Sequence, residues 1–498
     1  MRRGFPPVHH GPRQPIRAVP ACAALRAVPA CAVLRAVLAW AVLISLPGTG
    51  ARPLAAQAQA GAGIASQYKS VADRLMAAAL ADSAAWKRLA ELTDRFGHRF
   101  SGSESLERAL DWILAEMRAD GLENVRGEPV MIPRWVRGDE SAELVSPRAA
   151  MLPMLGLGGS VGTPAAGLEA EVLVVNDYAD LESRAAAARG KIVLFDVPFT
   201  SYGETVQYRS GGAVAAAKAG AVASLIRSVG PFGMKTPHTG AMRYEDGVGR
   251  IPHAAITAED AGMLRRMQER GEKVVVRLRM SARTLPDMPS RNVVAEIVGS
   301  EFPHEVVVLG GHSDSWDVGT GAMDDGGGVV AAWEAVRLIK ELGLRPKRTI
   351  RVVGWVNEEN GLRGGTGYRD AHAAELAKHV LAIESDAGVF QPLGFGFTGS
   401  DAAFEILRGI APLLEPIGAD SIARGGGGAD IGPIMERGVP GMGLEVDGSK
   451  YFWYHHTDTD TVDKLDPREV ALCTAALAIV AYVVADLPQP LPRAAPAR

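Results

Sequence analysis

The chain has 498 residues, of which 47% are hydrophobic and 22% are charged, and its formal net charge at pH 7 is −4. This length exceeds one ordinary domain, so we expect two or three folded units with the composition of a globular protein. A pI near 6.3 shows no excess of basic residues for nucleic acid or an anionic membrane surface, so neither is expected as a partner.

Residues 1–60 are predicted to be an export segment. Several arginines precede an apolar run over residues 36–46, which is too short to span a bilayer and is typical of a signal peptide. Small residues on both sides of Gln57 and Gln59 offer cleavage sites. We therefore expect a periplasmic or secreted protein without stable membrane insertion after cleavage. An uncleaved membrane anchor is the alternative.

The cysteines do not indicate a fold stabilised by disulfide bonds. Of the 3 cysteines in the chain, Cys22 and Cys31 lie in the export segment, which leaves Cys473 alone in the mature protein. An intrachain disulfide is therefore excluded after cleavage.

Residues 65–131 are predicted to be helical. Ser103 is a candidate N-cap, and Leu106, Leu110 and Met117 recur at the spacing of one helix face. Gly121 follows this run and can end the helix in a left-handed conformation.

Residues 132–285 are predicted to form a separate β-rich unit. Short apolar runs at 172–175, 191–195 and 274–278 lie among many Gly, Pro and Ser residues, as is typical of short strands and turns. His238 and His253 are isolated in this segment and are interpreted as loop or surface residues.

Residues 286–487 return to alternating strands and helices. This alternation predicts an α/β fold with a mostly parallel sheet and helices on both faces. A last helix begins at Asp466-Pro467 and is predicted to lie in the core, because its apolar stretch is shorter than a membrane span. The proline-rich residues 488–498 are predicted to be a disordered tail.

The apolar runs of this α/β segment end in polar residues that can bind a metal. These residues are His312 and Asp314 after the run at 306–309, Glu358 and Glu359 after 349–356, Asp386 after 379–383, and His456 on a later loop. The carboxyl ends of parallel strands share one edge of the sheet, and open α/β sheets bind their ligands at this edge. Imidazoles and carboxylates without a thiolate suit Zn²⁺ or another divalent ion.

Asp324 is placed to bridge two ions, because a carboxylate can give one oxygen to each. His312 and Asp386 would complete one set of ligands, and Glu359 and His456 the other, with an open position for a shared water. Two such ions activate water at neutral pH and polarise a carbonyl group.

Two further residues complete the predicted site. Glu358 is adjacent to a ligand and is not needed as one, so it is the candidate general base. Asp314 lies two residues from His312, on the same side of a continuing strand, and is expected to orient the imidazole.

These motifs resemble those of the M28 family of metallopeptidases over about residues 65–485. The motifs are Gly311-His312-Ser313-Asp314-Ser315, Gly321-Ala322-Met323-Asp324-Asp325-Gly326, Asn357-Glu358-Glu359-Asn360-Gly361-Leu362, Glu384-Ser385-Asp386 and His456-Thr457-Asp458-Thr459-Asp460-Thr461. The resemblance implies a phosphorylase/hydrolase-like catalytic domain in two parts, 65–131 and 286–487, and a protease-associated insert at 132–285. It also implies two Zn²⁺ per chain, the same five ligands, Glu358 as base, a non-proline cis peptide after Asp324, and a homodimer. Gly327 departs from the family, because many relatives carry serine there.

Two substrate contacts are predicted less directly. His455 and His456 are adjacent, so either could be the metal ligand. The spacing to Asp460-Thr461 favours His456. His455 is then free to contact the substrate or its oxyanion. Arg424, before a run of four glycines, is a candidate for binding a free terminus of the substrate, with a structural role as the alternative.

The expected function is that of an exported dinuclear zinc exopeptidase acting on small peptides. Dipeptides with free termini are the expected substrates, cleaved by a carboxypeptidase or dipeptidase activity. An aminopeptidase or an aminoacylase-type amidohydrolase could use the same ions, and an inactive binding protein is a third alternative. The presence of every ligand and of Glu358 argues against inactivity.

Overall fold

The computed structural model describes residues 54–494. The predicted export segment lies outside the described residues except for its last few positions. The helices are α1 (Leu54–Ala81), α2 (Ala84–Phe96), α3 (Glu104–Ala119), α4 (Tyr178–Ser183), α5 (Ala185–Ala188), α6 (Tyr202–Lys218), α7 (Ala258–Glu269), α8 (Gly327–Glu341), α9 (Arg363–Ala371), α10 (Asp401–Arg408), α11 (Gly432–Met435), α12 (Tyr451–Tyr454) and α13 (Pro467–Asp486). The strands are β1 (Glu123–Val136), β2 (Glu140–Ser146), β3 (Ala150–Leu152), β4 (Met154–Gly156), β5 (Leu168–Val175), β6 (Ile192–Phe195), β7 (Ala223–Arg227), β8 (His253–Ile256), β9 (Val275–Met280), β10 (Arg283–Ile297), β11 (Phe302–His312), β12 (Arg348–Trp355), β13 (His379–Glu384), β14 (Pro392–Thr398), β15 (Ser421–Arg424) and β16 (Gly441–Val446).

The first sheet has the strand order β1-β10-β12-β11-β13-β16-β14-β15. Its centre is parallel, since β11 pairs in parallel with β12 and β13, and β13 pairs in parallel with β16. Toward the flanks, β10 pairs antiparallel with β1 and β12, and β14 pairs antiparallel with β16. The sheet is therefore mixed, and the prediction of a mostly parallel sheet describes its centre. Strand β14 runs opposite to β13 because only a short loop, 385–391, separates them.

Helices cover both faces of this sheet, as predicted. Helices α1, α2, α3, α8 and α13 pack on one face in a core that includes Leu75, Leu89, Trp333 and Leu477, and α9 packs on the other face with Tyr368. Burial of a leucine side chain of this kind contributes about 1.5–3 kcal/mol. Among the described helices, α13 alone is long and apolar enough to cross a membrane, and 89% of its most apolar window is buried in the core.

Residues 140–280 form a second sheet with helices α4–α7, and we call them the 140–280 unit. Its strand order is β3-β2-β9-β5-β6-β7-β8-β4. Strands β5 to β8 are parallel neighbours, and β2, β9 and β4 pair antiparallel. Apolar side chains from both faces of this sheet form two further core clusters.

Helix ends follow the predicted capping chemistry. The Ser103 hydroxyl accepts a hydrogen bond from the Leu106 N–H at the start of α3, and Asp466 accepts one from Arg468 at the start of α13. Gly121 follows α3 with a φ of 71°, which a side chain would strain.

Two predicted segments are different in the structure. Residues 123–131 are not helical, because β1 finds a long antiparallel partner in β10, with Val136 opposite Arg283. Residues 488–494 are not a disordered tail, because Leu491 is buried and Arg493 donates to the His379 carbonyl at 2.6 Å. Residues 495–498 lie outside the described part of the chain.

Candidate metal centre

Strand β11 brings His312 to the edge of the sheet through two glycines. A Cβ at Gly311 would lie 2.0 Å from Asp325 Oδ2, so only glycine allows the turn carrying Asp325 to approach this closely. The His312 N–H donates to Asp325 Oδ2 at 3.0 Å, and the Gly328 N–H donates to Asp325 Oδ1 at 3.1 Å. Asp325 therefore joins the end of β11 to the start of α8.

The ends of the neighbouring elements supply the other predicted ligands. Glu358 and Glu359 follow β12, and Asp386 follows β13, the two parallel neighbours of β11. Asp324 lies in a π-helical turn over Ala322–Gly326. Its peptide bond to Asp325 is cis, which confirms that expectation.

The two carboxylate oxygens of Asp324 face two different groups of side chains. His312 Nε2 lies 3.3 Å from Asp324 Oδ1 and 3.3 Å from Asp386 Oδ1. His456 Nε2 lies 3.3 Å from Asp324 Oδ2 and 3.1 Å from Glu359 Oε2. The fold thus gathers all five predicted ligands into two imidazole–carboxylate pairs around one shared carboxylate.

These side chains fit a pair of divalent cations. His312 Nε2 and Asp324 Oδ2 are buried and make no hydrogen bond to any described residue, which is costly unless something else binds them. The donors are nitrogen and oxygen atoms, as zinc and similar ions require. Ions at this position would satisfy both atoms.

The charges in the centre support the same interpretation. Burial, and after it the Asp324 charge, raises the pKa of Glu359 to about 7. Burial alone would lower the pKa of His456, but Glu359 and Asp324 raise it to about 9. The centre therefore concentrates negative charge away from water, and it needs cations to compensate that charge.

Two neighbouring residues are weaker candidates for ligands. Asp325 and His455 each have an atom within 4.8 Å of other potential ligand atoms. The oxygens of Asp325 are already used by main-chain N–H groups. His455 Nε2 is 3.7 Å from Asp324 Oδ2, farther than His456 Nε2, and its ring stacks on His456 at 3.5 Å. The geometry favours His456 and leaves His455 beside the centre.

Glu358 is half-buried at the centre and belongs to neither pair. Its N–H donates to Asp314 Oδ1 at 3.1 Å, which fixes the main chain at this position. Burial raises the pKa of Glu358 well above its usual range, and the charges of Asp386 and Glu359 raise it further. A raised pKa makes this carboxylate a better proton acceptor.

Asp314 is completely buried, and its carboxylate connects two segments of the site. Its oxygens accept from Glu358 and, at 3.1 Å, from the Ser101 hydroxyl. His312 Nδ1 hydrogen-bonds to the Asp314 main-chain carbonyl at 3.0 Å, whereas the carboxylate lies 3.8 Å away. Asp314 therefore orients the imidazole through its carbonyl, which leaves Nε2 free for a ligand role.

The structure does not bring Arg424 to the centre. Arg424 lies in β15 at the edge of the sheet, with 52% of its side chain exposed, and pairs with Asp401 at 2.6 Å. Its guanidinium also lies 4.2 Å from the ring centre of Phe404. The structural alternative therefore accounts for its contacts in the described chain, because its edge strand places it beside α10.

Two residues of the centre were not identified from sequence. The Asp460 carboxylate accepts from the N–H groups of Ala322 at 3.1 Å, Met323 at 2.7 Å and Asp324 at 3.2 Å, and so holds the turn that carries the shared carboxylate. Its position in the His456–Thr461 motif was the available signal.

Arg99 is the second such residue, and it is completely buried. It donates to the carbonyls of Ser313 at 2.9 Å, Thr320 at 2.7 Å and Gly321 at 2.8 Å. Burial lowers the pKa of Arg99 to about 10, against the opposing effect of Asp460 and other nearby carboxylates. Arg99 thus carries positive charge next to the acidic centre, and no sequence motif distinguished it.

A sheet with a parallel centre, ending in buried imidazoles and carboxylates that converge around one aspartate, defines a metal-dependent hydrolase of the α/β class. The model of peptidase family M28 matches residues 292–481. Carboxypeptidase Q of Xenopus laevis is 50% identical over 431 residues, which cover 86% of this chain and 92% of that protein. The chain belongs to peptidase family M28 and is a metallopeptidase, as its motifs predicted.

Solved structures agree with this assignment. The structure of the peptidase M28 precursor from Shewanella amazonensis matches with a TM-score of 0.84 at 38% identity. The match covers 87% of this chain and 100% of that chain. The zinc aminopeptidase of Bacillus subtilis called BSAP has a TM-score of 0.59 at 22% identity, covering 79% of this chain and 93% of that chain, which is a likeness of fold alone.

Proposed function

We propose that this metallopeptidase is a dinuclear zinc exopeptidase that hydrolyses small peptides, chiefly dipeptides with free termini. The observation that carries the proposal is the position of Asp324, whose oxygens lie 3.3 Å from His312 on one side and 3.3 Å from His456 on the other. One ion would need only one of these imidazole–carboxylate pairs. Two pairs that share a carboxylate match a site for two ions.

The proposed ligands are those predicted from the motifs. His312, Asp324 and Asp386 would hold one zinc ion, and His456, Asp324 and Glu359 would hold the other. Zinc is proposed because the donors are imidazole and carboxylate and because the structurally similar Bacillus subtilis enzyme is described as a zinc aminopeptidase.

Glu358 is the proposed general base. When bound, two zinc ions would polarise the scissile carbonyl and make a water molecule more acidic. The Glu358 carboxylate would accept a proton from the attacking water and deliver it to the nitrogen of the leaving amine. The Asp314 carboxylate would hold Glu358 in place by accepting a hydrogen bond from the main-chain N–H of Glu358, at 3.1 Å.

The relatives support an exopeptidase acting on a peptide's carboxyl end, because the relatives at 50% identity carry the name carboxypeptidase Q. His455 is proposed to contact the substrate or its oxyanion, since it is next to the centre and is not the better-placed ligand. An aminopeptidase and an aminoacylase-type amidohydrolase are the competing activities.

Three further proposals concern the whole protein. Export rests on the arginine-rich, apolar beginning of the sequence. The 140–280 unit is proposed to be a protease-associated insert, since it interrupts the catalytic sheet between β1 and β10. A homodimer rests on the family resemblance.

Turnover of a dipeptide panel by the wild type and Glu358→Gln tests the proposed function. We expect amino acids to be released by the wild type and about 10²–10⁴-fold more slowly by the variant, because its amide cannot accept the proton. Zinc content, measured by atomic emission, should be two ions per chain in both proteins. Glu436→Gln is the matched control because Glu436 is exposed and should leave turnover unchanged.

Blocked substrates separate the competing activities. Hydrolysis that requires both a free amino and a free carboxyl terminus supports the dipeptidase. Hydrolysis of amino-acid amides would instead indicate an aminopeptidase, and hydrolysis of N-acetyl amino acids an amidohydrolase. An active Glu358→Gln variant would exclude Glu358 as the base.

A further inference from the structure

The 140–280 unit contacts the histidine loop of the metal centre directly. The Thr239 N–H donates to the His456 carbonyl at 2.9 Å, and His238 Nδ1 bonds to the His455 carbonyl at 2.8 Å. The side chains of His238, Thr239, His455 and His456 are all buried. Two segments that are 217 positions apart thus run side by side at the centre.

The Thr239 carbonyl also reaches the His456 ring, with Nδ1 at 3.3 Å. A carbonyl can only accept a hydrogen bond, so this contact favours the tautomer with its proton on Nδ1. In that tautomer Nε2 is unprotonated and faces Asp324 and Glu359. A metal ligand needs this arrangement.

Arg209 of α6 competes for the same ring nitrogen. Its Nη1 lies 3.3 Å from His456 Nδ1, and because a guanidinium can only donate, it favours the tautomer without a proton on Nδ1. Arg209 therefore cannot be the group that supports the ligand form. The main chain at residues 238–239 is the remaining group that can support the ligand form of His456.

The segment at 238–239 is itself held in place. The Thr239 hydroxyl donates to the Gly156 carbonyl at 2.9 Å and accepts from Arg137 at 3.2 Å. Arg137 also pairs with Asp317 at 2.5 Å, on the loop between His312 and Asp324. Arg137, which lies between β1 and β2 just before the unit, thus links Thr239 to that loop.

We infer that residues 238–239 of the 140–280 unit hold His456 in the tautomer and position of a metal ligand, which makes this unit part of the metal centre. The inference rests on the proposed function only in taking the ion at His456 to be zinc. It assigns His238 and Thr239 as positioning residues. It also predicts that changes in the unit weaken the binding of the ion at His456 more than that of the ion at His312, because His312 lies outside these contacts.

His238 offers the cleanest test because its ring makes one hydrogen bond in the described structure and its other nitrogen is buried without a partner. His238→Phe keeps a planar aromatic ring and removes the donor to the His455 carbonyl. His238→Asn restores an N–H near the position of Nδ1. His253→Phe is the matched control, because His253 is another buried histidine of the same unit whose ring bonds to main-chain carbonyls within the unit, those of Ser224, Tyr208 and Arg209, and to none of the histidine loop.

The measurement is zinc affinity by competition with a chromophoric chelator, together with the absorption spectrum of the cobalt-substituted protein. Loss of a hydrogen bond that supports a ligand weakens metal binding about 10–100-fold, so in His238→Phe we expect one zinc equivalent to bind at least about 10-fold more weakly. The other equivalent should bind with wild-type affinity, and the cobalt spectrum should change. We expect His238→Asn and His253→Phe to resemble the wild type.

Three outcomes would overturn the inference. They are wild-type affinity for both ions in His238→Phe, equal impairment in His238→Asn, or equal impairment in His253→Phe, which would indicate a general effect on the unit. A wild-type protein that binds no zinc would instead refute the proposed function, before any variant is compared.

Discussion

Replacing Asp460 by asparagine should weaken both the fold around the shared carboxylate and the affinity for zinc. Asp460 Oδ1 accepts from the Ala322 and Met323 N–H groups, and Oδ2 accepts from the Asp324 N–H at 3.2 Å. In Asp460→Asn the amide oxygen can keep the first two hydrogen bonds, whereas the amide NH₂ group would face the Asp324 N–H. Two donors then meet where a donor met an acceptor.

The size of the effect follows from this count of hydrogen bonds. A buried donor left without an acceptor costs about 1–3 kcal/mol, and a bond to a neutral oxygen is weaker than one to a charged oxygen. We therefore expect Asp460→Asn to lower the free energy of unfolding by about 2–3 kcal/mol. Zinc should bind about 10–100-fold more weakly, because the turn that positions Asp324 is loosened.

The assay is urea unfolding of the chelator-treated protein followed by circular dichroism, with zinc affinity measured separately. Asp458→Asn is the matched control, since Asp458 is exposed in the same motif and should change neither quantity. An Asp460→Asn protein that unfolds at the wild-type urea concentration and binds zinc equally well would refute the role assigned to this carboxylate.

The remaining predictions concern pH and metal removal. Burial lowers the pKa of His379 to about 4, so its neutral form stabilises the fold fully above pH 6.5, and this stability is lost as the pH falls toward 4, by up to about 3 kcal/mol. His379→Gln should therefore lose about 2 kcal/mol less than the wild type between pH 7 and pH 5 in urea titrations, and equal losses would contradict the assignment. Removing the metal with a chelator should lower the melting temperature measured by calorimetry, because a ligand held at 1,000 times its Kd stabilises by about 4 kcal/mol. Added zinc should restore it, and an unchanged melting temperature would argue against bound metal.

The 140–280 unit contacts the histidine loop of the metal centre although the two segments are far apart in sequence. The Thr239 N–H donates to the His456 carbonyl, and Arg137, just before the unit, donates to Thr239 and pairs with Asp317. A variant of this unit can therefore alter the metal centre without touching the predicted ligands. Deleting the unit would remove hydrogen bonds to the main-chain carbonyls of the histidine loop.

Several features were predictable because they depend on local patterns or on the ends of parallel strands. The cap at Ser103, the buried helix α13 and the parallel centre of the first sheet follow from side-chain spacing and from the alternation of strands and helices. Polar residues after three neighbouring parallel strands must meet at one edge of the sheet, which is why the sequence predicts that His312, Glu359 and Asp386 lie together.

Other features depend on partners that are distant in sequence. Residues 123–131 form a strand because β10 is available to pair with them, and Arg424 pairs with Asp401 because the edge strand β15 lies beside α10. Arg99 and Thr239 act on main-chain groups, which every sequence contains, so no motif could reveal them, whereas Asp460 lies in the His456–Thr461 motif but its partners in the 322–324 turn are distant in sequence.

The sequence by itself therefore determined the family, the order of the elements and which side chains have the chemistry to bind metal, since these depend on residue type and spacing. Only the tertiary structure decided that Asp324 faces two imidazoles, that His456 is nearer than His455, and that a second sheet supports the histidine loop. Such contacts depend on distances between chain segments far apart in sequence, which local spacing does not determine.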